Sequence, residues 1–244
     1  MKEHKKKLPD HLENCSLERK KEFSSYLLNH ITENRNDLMD GVLDKRTRHL
    51  TVALEDIYQP HNASAVMRSC EIFGVQELYA MEREYEFCPN NEVSMGASKW
   101  VDLYRYPKHN EEVMSTTYEC LTDLKERGYQ IIATSLREGC VPLEELDISK
   151  KTCLVFGTEL TGLSEEGHGL ADGFVQIPMH GFTQSFNISV TAALTLHTLS
   201  EKMRADQSID WQLSDDEKAE IKFRWLYNSL ASSDKILERY ISEE

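Results

Sequence analysis

The 244-residue sequence contains no apolar run near the roughly 18 residues that a membrane span needs, which excludes a spanning helix. Its basic opening, Met1 to Lys7, passes straight into polar sequence, and no signal peptide is expected. Six cysteines, at 15, 70, 88, 120, 140 and 153, never form a C-x-x-C pair. That spacing argues against a zinc site and a disulfide framework, so no metal is expected. Most of these residues read as reduced, buried thiols of a cytoplasmic protein. Positive charge is scarce as well: 28 Lys and Arg face 42 Asp and Glu, a net charge of −14. A polyanionic partner would have to be held by local basic patches, not by a global field. Residues 1–50 carry 11 basic against 9 acidic residues, leaving 17 against 33 in the rest. The patches are Lys5-Lys6-Lys7, Arg19-Lys20-Lys21 and Lys45-Arg46-Thr47-Arg48. Internal repeats and low-complexity linkers are also missing.

What is present is a change of pattern at His49. Residues 1–48 are polar with scattered apolar positions and read as an N-terminal helical extension. From residue 49 to 204, short apolar runs of strand length alternate with helical spacing. The strands are expected at Leu50–Ile57, Val75–Met81, Val101–Tyr106, Tyr129–Leu136, Thr152–Glu159 and Phe174–Met179. Helices are expected over Asn62–Phe73, closing at Gly74, and over Glu111–Arg127, closing at Gly128. A last one runs from about Asn187 to Met203, with Ile188, Ala192, Leu196, Leu199 and Met203 on one face. Strands alternating with helices predict an α/β domain whose mostly parallel sheet is covered on both faces. Residues 205–244 are acidic and carry one helical stretch from Asp215 to about Leu230. That tail is too short for its own core and must pack on something.

Three segments differ from ordinary element–loop punctuation. In the first, Pro60-His61-Asn62-Ala63-Ser64-Ala65-Val66-Met67-Arg68, Asn62 and Arg68 stand six apart, and the spacing places them within about one face of a helix start. Asn, Ser and Arg near a helix N-terminus suit a ribose-phosphate group; a plain Asn cap and a surface Arg would look the same. In the second, an apolar strand runs into Gly157-Thr158-Glu159-Leu160-Thr161-Gly162-Leu163-Ser164. It lacks the Gly-Lys-Ser/Thr of a Walker loop and the third glycine of a dinucleotide fingerprint. It fits a loop site at a strand's C-terminal end, where glycine lets backbone come close to a ligand. In the third, Ile177-Pro178-Met179-His180-Gly181 leads to Ser185-Phe186-Asn187-Ile188-Ser189. Helix capping accounts for one of its polar residues and not for all three.

Together, and in this order, the three segments resemble the signature motifs of the SpoU branch of the SPOUT methyltransferases, with Phe186 and Ile188 as mild apolar departures. The resemblance covers roughly residues 49–204. It is strongest to the members that methylate the ribose of guanosine-18 in tRNA. Supporting stretches are Gln59-Pro60-His61-Asn62 and Lys125-Glu126-Arg127-Gly128 with the following Ala133-Thr134-Ser135-Leu136. The resemblance implies a C-terminal deep trefoil knot, a homodimer whose site is completed by the partner, and metal-free methyl transfer from S-adenosylmethionine. It implies cofactor contacts at Leu136, Gly157, Ile177, Met179, Phe186 and Ile188. Asn62 and Ser185 would position the ribose and phosphate, and Glu159 and Asn187 would brace them. Arg68 is implied as the activator of the 2′-hydroxyl; because a guanidinium stays protonated, its expected task is to hold the phosphate and stabilise developing oxyanion character. Lys45, Arg46, Arg48 and Lys125 are the expected RNA contacts. Two rival readings keep this frame, methylation of ribosomal RNA and a catalytically silent RNA-binding relative. An unrelated dinucleotide-type methyltransferase is disfavoured, since Pro60-His61-Asn62 stands where its glycine-rich loop should follow the first strand.

Overall fold

The computed structural model describes residues 8–108, 115–135, 139–159, 161–183 and 185–242. The chain forms two compact units, one of residues up to Arg46 and from Gln212 onward, the other of Thr47–Trp211. In the first, α1 (Asp10–Glu13), α2 (Leu17–Leu28) and α3 (Glu33–Leu43) open the chain. The second contains β1 (Leu50–Glu55), α4 (Pro60–Ile72), β2 (Glu77–Met81), α5 (Asn91–Ser94), β3 (Asp102–Tyr106) and α6 (Thr116–Glu126). It continues with β4 (Gln130–Thr134), β5 (Val141–Pro142), β6 (Thr152–Phe156), α7 (Glu165–Leu170), β7 (Gly173–Gln176) and α8 (Ile188–Ala205). Back in the first unit, α9 (Asp215–Ser229) and α10 (Ser233–Ser242) close the chain.

The seven strands form one sheet in the order β3-β2-β1-β6-β4-β7-β5, and every pairing is parallel. Side chains of a strand alternate between faces, which sorts the core into two layers. Leu50, Val52 and Leu54 of β1 meet Val66, Met67 and Cys70 of α4 and the apolar stripe of α8. Ala53 meets Cys120, Leu121 and Leu124 of α6 on the other face. All five predicted stripe residues of α8 are buried. Helix α4 starts one turn's fraction earlier than its apolar pattern suggests, because Pro60 fits a first-turn position whose N–H would be unpaired anyway. It stops where Gly74 takes φ 79°, a left-handed conformation that a residue with a Cβ resists. Strand β5 was not expected from the sequence. It is two residues long and contains a proline, so it has neither the length nor the alternation that marks a strand.

The acidic tail does find a partner in its own unit. Phe23 of α2 stacks on Phe223 of α9 with ring centroids 6.0 Å apart. Lys20, Lys21 and Lys222 pair with Glu220, Asp216 and Asp40. Here Arg46 is 1% exposed and lies over the Trp225 ring at 5.3 Å. That overturns its assignment as an RNA contact, because a side chain inside the core cannot reach a phosphate. The Lys5-Lys6-Lys7 patch lies outside the described residues. Of the six cysteines, Cys70, Cys120 and Cys153 are buried, Cys15 and Cys140 half-buried and Cys88 exposed, so half and not most of them are interior; none of the six is in a disulfide. No helix among the described residues is long and apolar enough to cross a membrane.

Candidate active site

Strands β1 and β6 lie side by side, and the chain leaves their C-terminal ends into α4 and into the loop 157–164. Ligands of open α/β sheets bind in the crevice at such carboxyl ends. Three residues from the three unusual segments converge there. The Asn62 amide donates to Glu159 Oε1 at 2.9 Å and to Gln59 Oε1 at 3.2 Å. Asn187 Nδ2 donates to the same Glu159 oxygen and to Asn62 Oδ1 at 3.2 Å. Asn187 also caps α8, its Oδ1 accepting the Ser189 N–H at 2.9 Å. Thus two amides separated by 125 residues grip one oxygen of a single carboxylate. Glu159 is exposed, whereas Asn62 is 3% exposed with both amide hydrogens committed.

The loop that carries Glu159 is held shut from within. Thr158 and Gly162 exchange two backbone hydrogen bonds at 3.0 Å, and a Cβ built on Gly157 would lie 2.2 Å from the Gly162 carbonyl carbon. The bare Cα at 157 is therefore demanded by the loop's own closure, a nearer cause than close approach of a ligand. The loop's far end is anchored by Glu55, which sequence reading missed. This carboxylate ends β1 at 2% exposure and accepts the Ser164 N–H and Oγ, each at 2.7 Å, and the Thr117 hydroxyl. The signal was legible: an acid closing a strand otherwise free of charge, Leu50-Thr51-Val52-Ala53-Leu54-Glu55.

A cavity of about 540 Å³ opens beside this cluster, within the range of sites for drug-sized ligands. Gly157, Ile177, Met179, Ser185, Phe186 and Ile188 line it, as does Glu159 at its mouth. Five of the six expected cofactor positions are among them; Leu136 lies outside the described residues. Thr195, fully buried on α8, also lines it, and its Oγ1 has no hydrogen-bond partner among the described residues. Apolar walls, backbone groups of a glycine loop and an unsatisfied hydroxyl fit a nucleoside-bearing cofactor. Among the described residues no group of three or more His, Cys, Asp and Glu is placed to hold a metal ion.

Arg68 stands apart. Successive helical residues turn by about 100°, so six positions carry it well round the helix from Asn62. Asn62 faces the cluster and Arg68 is exposed, which corrects the expectation that they share a face. Beside Arg68 on the exposed side of α4 is Ile72 at 61% exposure, and the neighbouring α8 exposes Val190 and Leu194. The remaining predicted RNA contacts divide. Arg48 pairs with buried Glu77 at 2.9 Å and keeps only 15% side-chain exposure, so it too is a structural cation and not a phosphate contact. Lys125 is more open and pairs with Asp172 at 2.7 Å; Lys45 is exposed.

The SpoU rRNA Methylase family profile matches residues 49–197. A tRNA (guanosine(18)-2′-O)-methyltransferase of Borreliella burgdorferi is 38% identical over 212 residues, which are 87% of this chain and 93% of the relative. The crystal structure of the Aquifex aeolicus TrmH/SpoU tRNA modifying enzyme superposes with a TM-score of 0.72 at 32% identity, covering 82% of this chain and 98% of that one. The methyltransferase AviRb from Streptomyces viridochromogenes in complex with the cofactor AdoMet shares the fold, with a TM-score of 0.55 at 23% identity over 67% of this chain and 64% of that one.

Proposed function

The chain belongs to the SpoU methylase family, and from that footing we propose that it methylates a ribose 2′-hydroxyl of RNA, at guanosine-18 of tRNA. The observation that carries the reading is the junction of Asn62, Glu159 and Asn187 at the mouth of the cavity. When bound, S-adenosylmethionine supplies an electrophilic methyl group on a sulfonium. Gly157, Ile177, Met179, Phe186 and Ile188, with Leu136, hold it by backbone and apolar contact.

In-line attack by an alcohol needs collinearity before it needs strong acid–base chemistry. Glu159 is the residue built to orient the alcohol: both amides bind Oε1, and Oε2 has no partner among the described residues. That second oxygen accepts the 2′-hydroxyl, while buried Asn62 and the α8 cap Asn187 fix the carboxylate. Asn62 thus acts through Glu159, a reversal of the order inferred from sequence. Ser185, exposed on the cavity rim, holds the phosphate. Arg68 supplies positive charge to the phosphate and the developing oxyanion. Since it lies about 120° round α4 from Asn62, it serves the site of a second copy in a homodimer. The exposed Ile72, Val190 and Leu194 around it support that assembly. The same reading includes a trefoil knot in this part of the chain, where α8 packs against α4 and β1. The 1–48 and 205–244 extensions flanking the 49–204 catalytic domain guide RNA, with exposed Lys45 as one contact and Lys125 on the catalytic domain as another. The enzyme works in the cytoplasm beside its substrate.

Labelled S-adenosylmethionine, total tRNA and ribosomal RNA test the reading. Label recovered as 2′-O-methylguanosine at position 18 of tRNA is the expected result. Label confined to ribosomal RNA would reassign the substrate, and no transfer to either would leave a silent RNA-binding protein.

A further inference from the structure

Two polar residues are buried on α8, Thr195 and Ser200, and Ser200 gives its hydroxyl to the His197 carbonyl at 3.1 Å. Thr195 stands between Ala192 and Leu199 on the buried face, with no exposed surface. Threonine and serine inside helices commonly give their hydroxyl to the carbonyl one turn back. Ser64 and Ser69 of α4 do so at 2.7 and 3.0 Å, and Thr191, one turn earlier in α8, does so at 3.2 Å. Thr195 does not; its Oγ1 is without a partner among the described residues, and Thr195 lines the cavity. An unpaired buried hydroxyl is costly to keep, and an alkyl residue of similar shape would remove the cost. A ligand atom is the natural partner for such a group.

Position decides which part of a ligand that is. Eight residues separate Thr195 from Asn187, about 12 Å along a helix axis. The reacting centre has to lie at the Asn187 end, where Glu159 is. Leu143, Phe156 and Val175, which line the same cavity, pack in one core cluster with Leu196 and Leu199, the α8 residues next to and one turn beyond Thr195. Thr134 also lines the cavity, but its hydroxyl is committed to the Val155 carbonyl at 3.2 Å. A flat, largely apolar group with a polar edge fits this end, and a charged amino-acid tail does not. We propose that Thr195 Oγ1 hydrogen-bonds the adenine base of the cofactor, making the deep end of the cavity selective for the polar edge of a purine. The inference rests on reading the cavity as the S-adenosylmethionine site. A hydroxyl can donate to a ring nitrogen or accept from an amino group, so it can serve either atom type on that edge.

The test measures binding of S-adenosylhomocysteine and of adenosine to the full-length protein by calorimetry, with melting temperatures of the ligand-free forms. Thr195→Val should weaken S-adenosylhomocysteine about tenfold, the scale of one buried hydrogen bond. Ligand-free Thr195→Val should melt at or above the wild-type temperature, because a methyl replaces an unsatisfied hydroxyl. Thr195→Ser, which keeps the hydroxyl, should stay within roughly threefold of the wild type. Adenosine, which lacks the amino-acid tail, should lose the same factor in Thr195→Val. Unchanged S-adenosylhomocysteine affinity in Thr195→Val, with a wild type that binds, would overturn the inference and leave the proposed function standing. A wild type that fails to bind would bring down both. Unchanged adenosine affinity beside weakened S-adenosylhomocysteine would place the hydroxyl on the amino-acid tail and overturn the assignment to the base. A lowered melting temperature would make Thr195 a packing residue and overturn it too.

Discussion

The two ends of the sheet use the same chemistry in opposite ways. At the N-terminal ends of the strands, Glu77 is 1% exposed and surrounded: Arg48 at 2.9 Å, Arg127 at 2.7 Å and the Tyr79 hydroxyl at 2.6 Å. Arg127 in turn lies over the rings of Tyr79, Tyr104 and Tyr129. Burial, reinforced by the charge of Glu77, pushes the Tyr79 phenol far above its ordinary range, so it stays a neutral donor. At the C-terminal ends, Glu159 is held on one oxygen only, by neutral amides, and faces a cavity. A carboxylate ringed by cations and hydroxyls has no capacity left for a ligand. One braced by amides on a single oxygen keeps a free edge. The difference marks where this fold stores rigidity and where it keeps reactivity.

The comparison breaks most visibly at Arg68. Arg68→Ala should lower turnover by about two to three orders of magnitude, the scale of one positioned transition-state contact, with the melting temperature and S-adenosylhomocysteine affinity unchanged. Arg68→Lys should recover little, because a point charge lacks the planar fork. Mixing Arg68→Ala with Glu159→Ala subunits should restore turnover, since one site of each mixed dimer is then intact; no recovery would place Arg68 in its own subunit's site. Next in size is the other end of the sheet. Glu77→Gln leaves Arg48 and Arg127 without their buried counter-charge and should cost about 3 kcal/mol of stability in urea titration. The folded fraction should keep its cofactor affinity, and a loss there would show that the two ends are coupled.

Gly157→Ala sharpens the contrast within the site. Its Cβ would collide with the Gly162 backbone, so the loop must open at a cost of about 1–3 kcal/mol, read as an affinity loss of roughly tenfold or more for S-adenosylhomocysteine. The smallest effect is expected at Lys45. Lys45→Ala should weaken tRNA binding slightly and reduce the salt-dependence slope by about one, leaving cofactor affinity intact. An unchanged slope would move the RNA surface elsewhere.

Local pattern was enough for the layers of the sheet, since alternation and the α8 stripe depend on neighbours in sequence. The motif residues Asn62, Glu159 and Asn187 were also legible, although the buried position of Asn62 behind Glu159 was not, because it depends on a loop nearly a hundred residues away. The basic run at 45–48 misled for the same reason. Nothing local says that Arg46 lies on Trp225 or that Arg48 pairs with Glu77. Thr195 was in plain view as a hydroxyl among Ile188, Ala192, Leu196, Leu199 and Met203, but its meaning needs the cavity beside it.

The pairing of β1 with β6 also sets a clock. Leu50 aligns with Thr152, so the first strand of the sheet gains its central neighbour only after about 100 further residues have been made. At ribosomal rates of about 5–20 residues per second, that is roughly 5–20 s. Over that interval a strand whose six residues are all buried in the finished fold has one edge uncovered on the nascent chain, where shielding by a chaperone or by early docking of α4 would have most to contribute. Synthesis past Asn187 is needed before the Asn62–Glu159–Asn187 cluster can assemble at all. A product truncated or stalled before β6 therefore carries an open sheet edge and lacks that cluster.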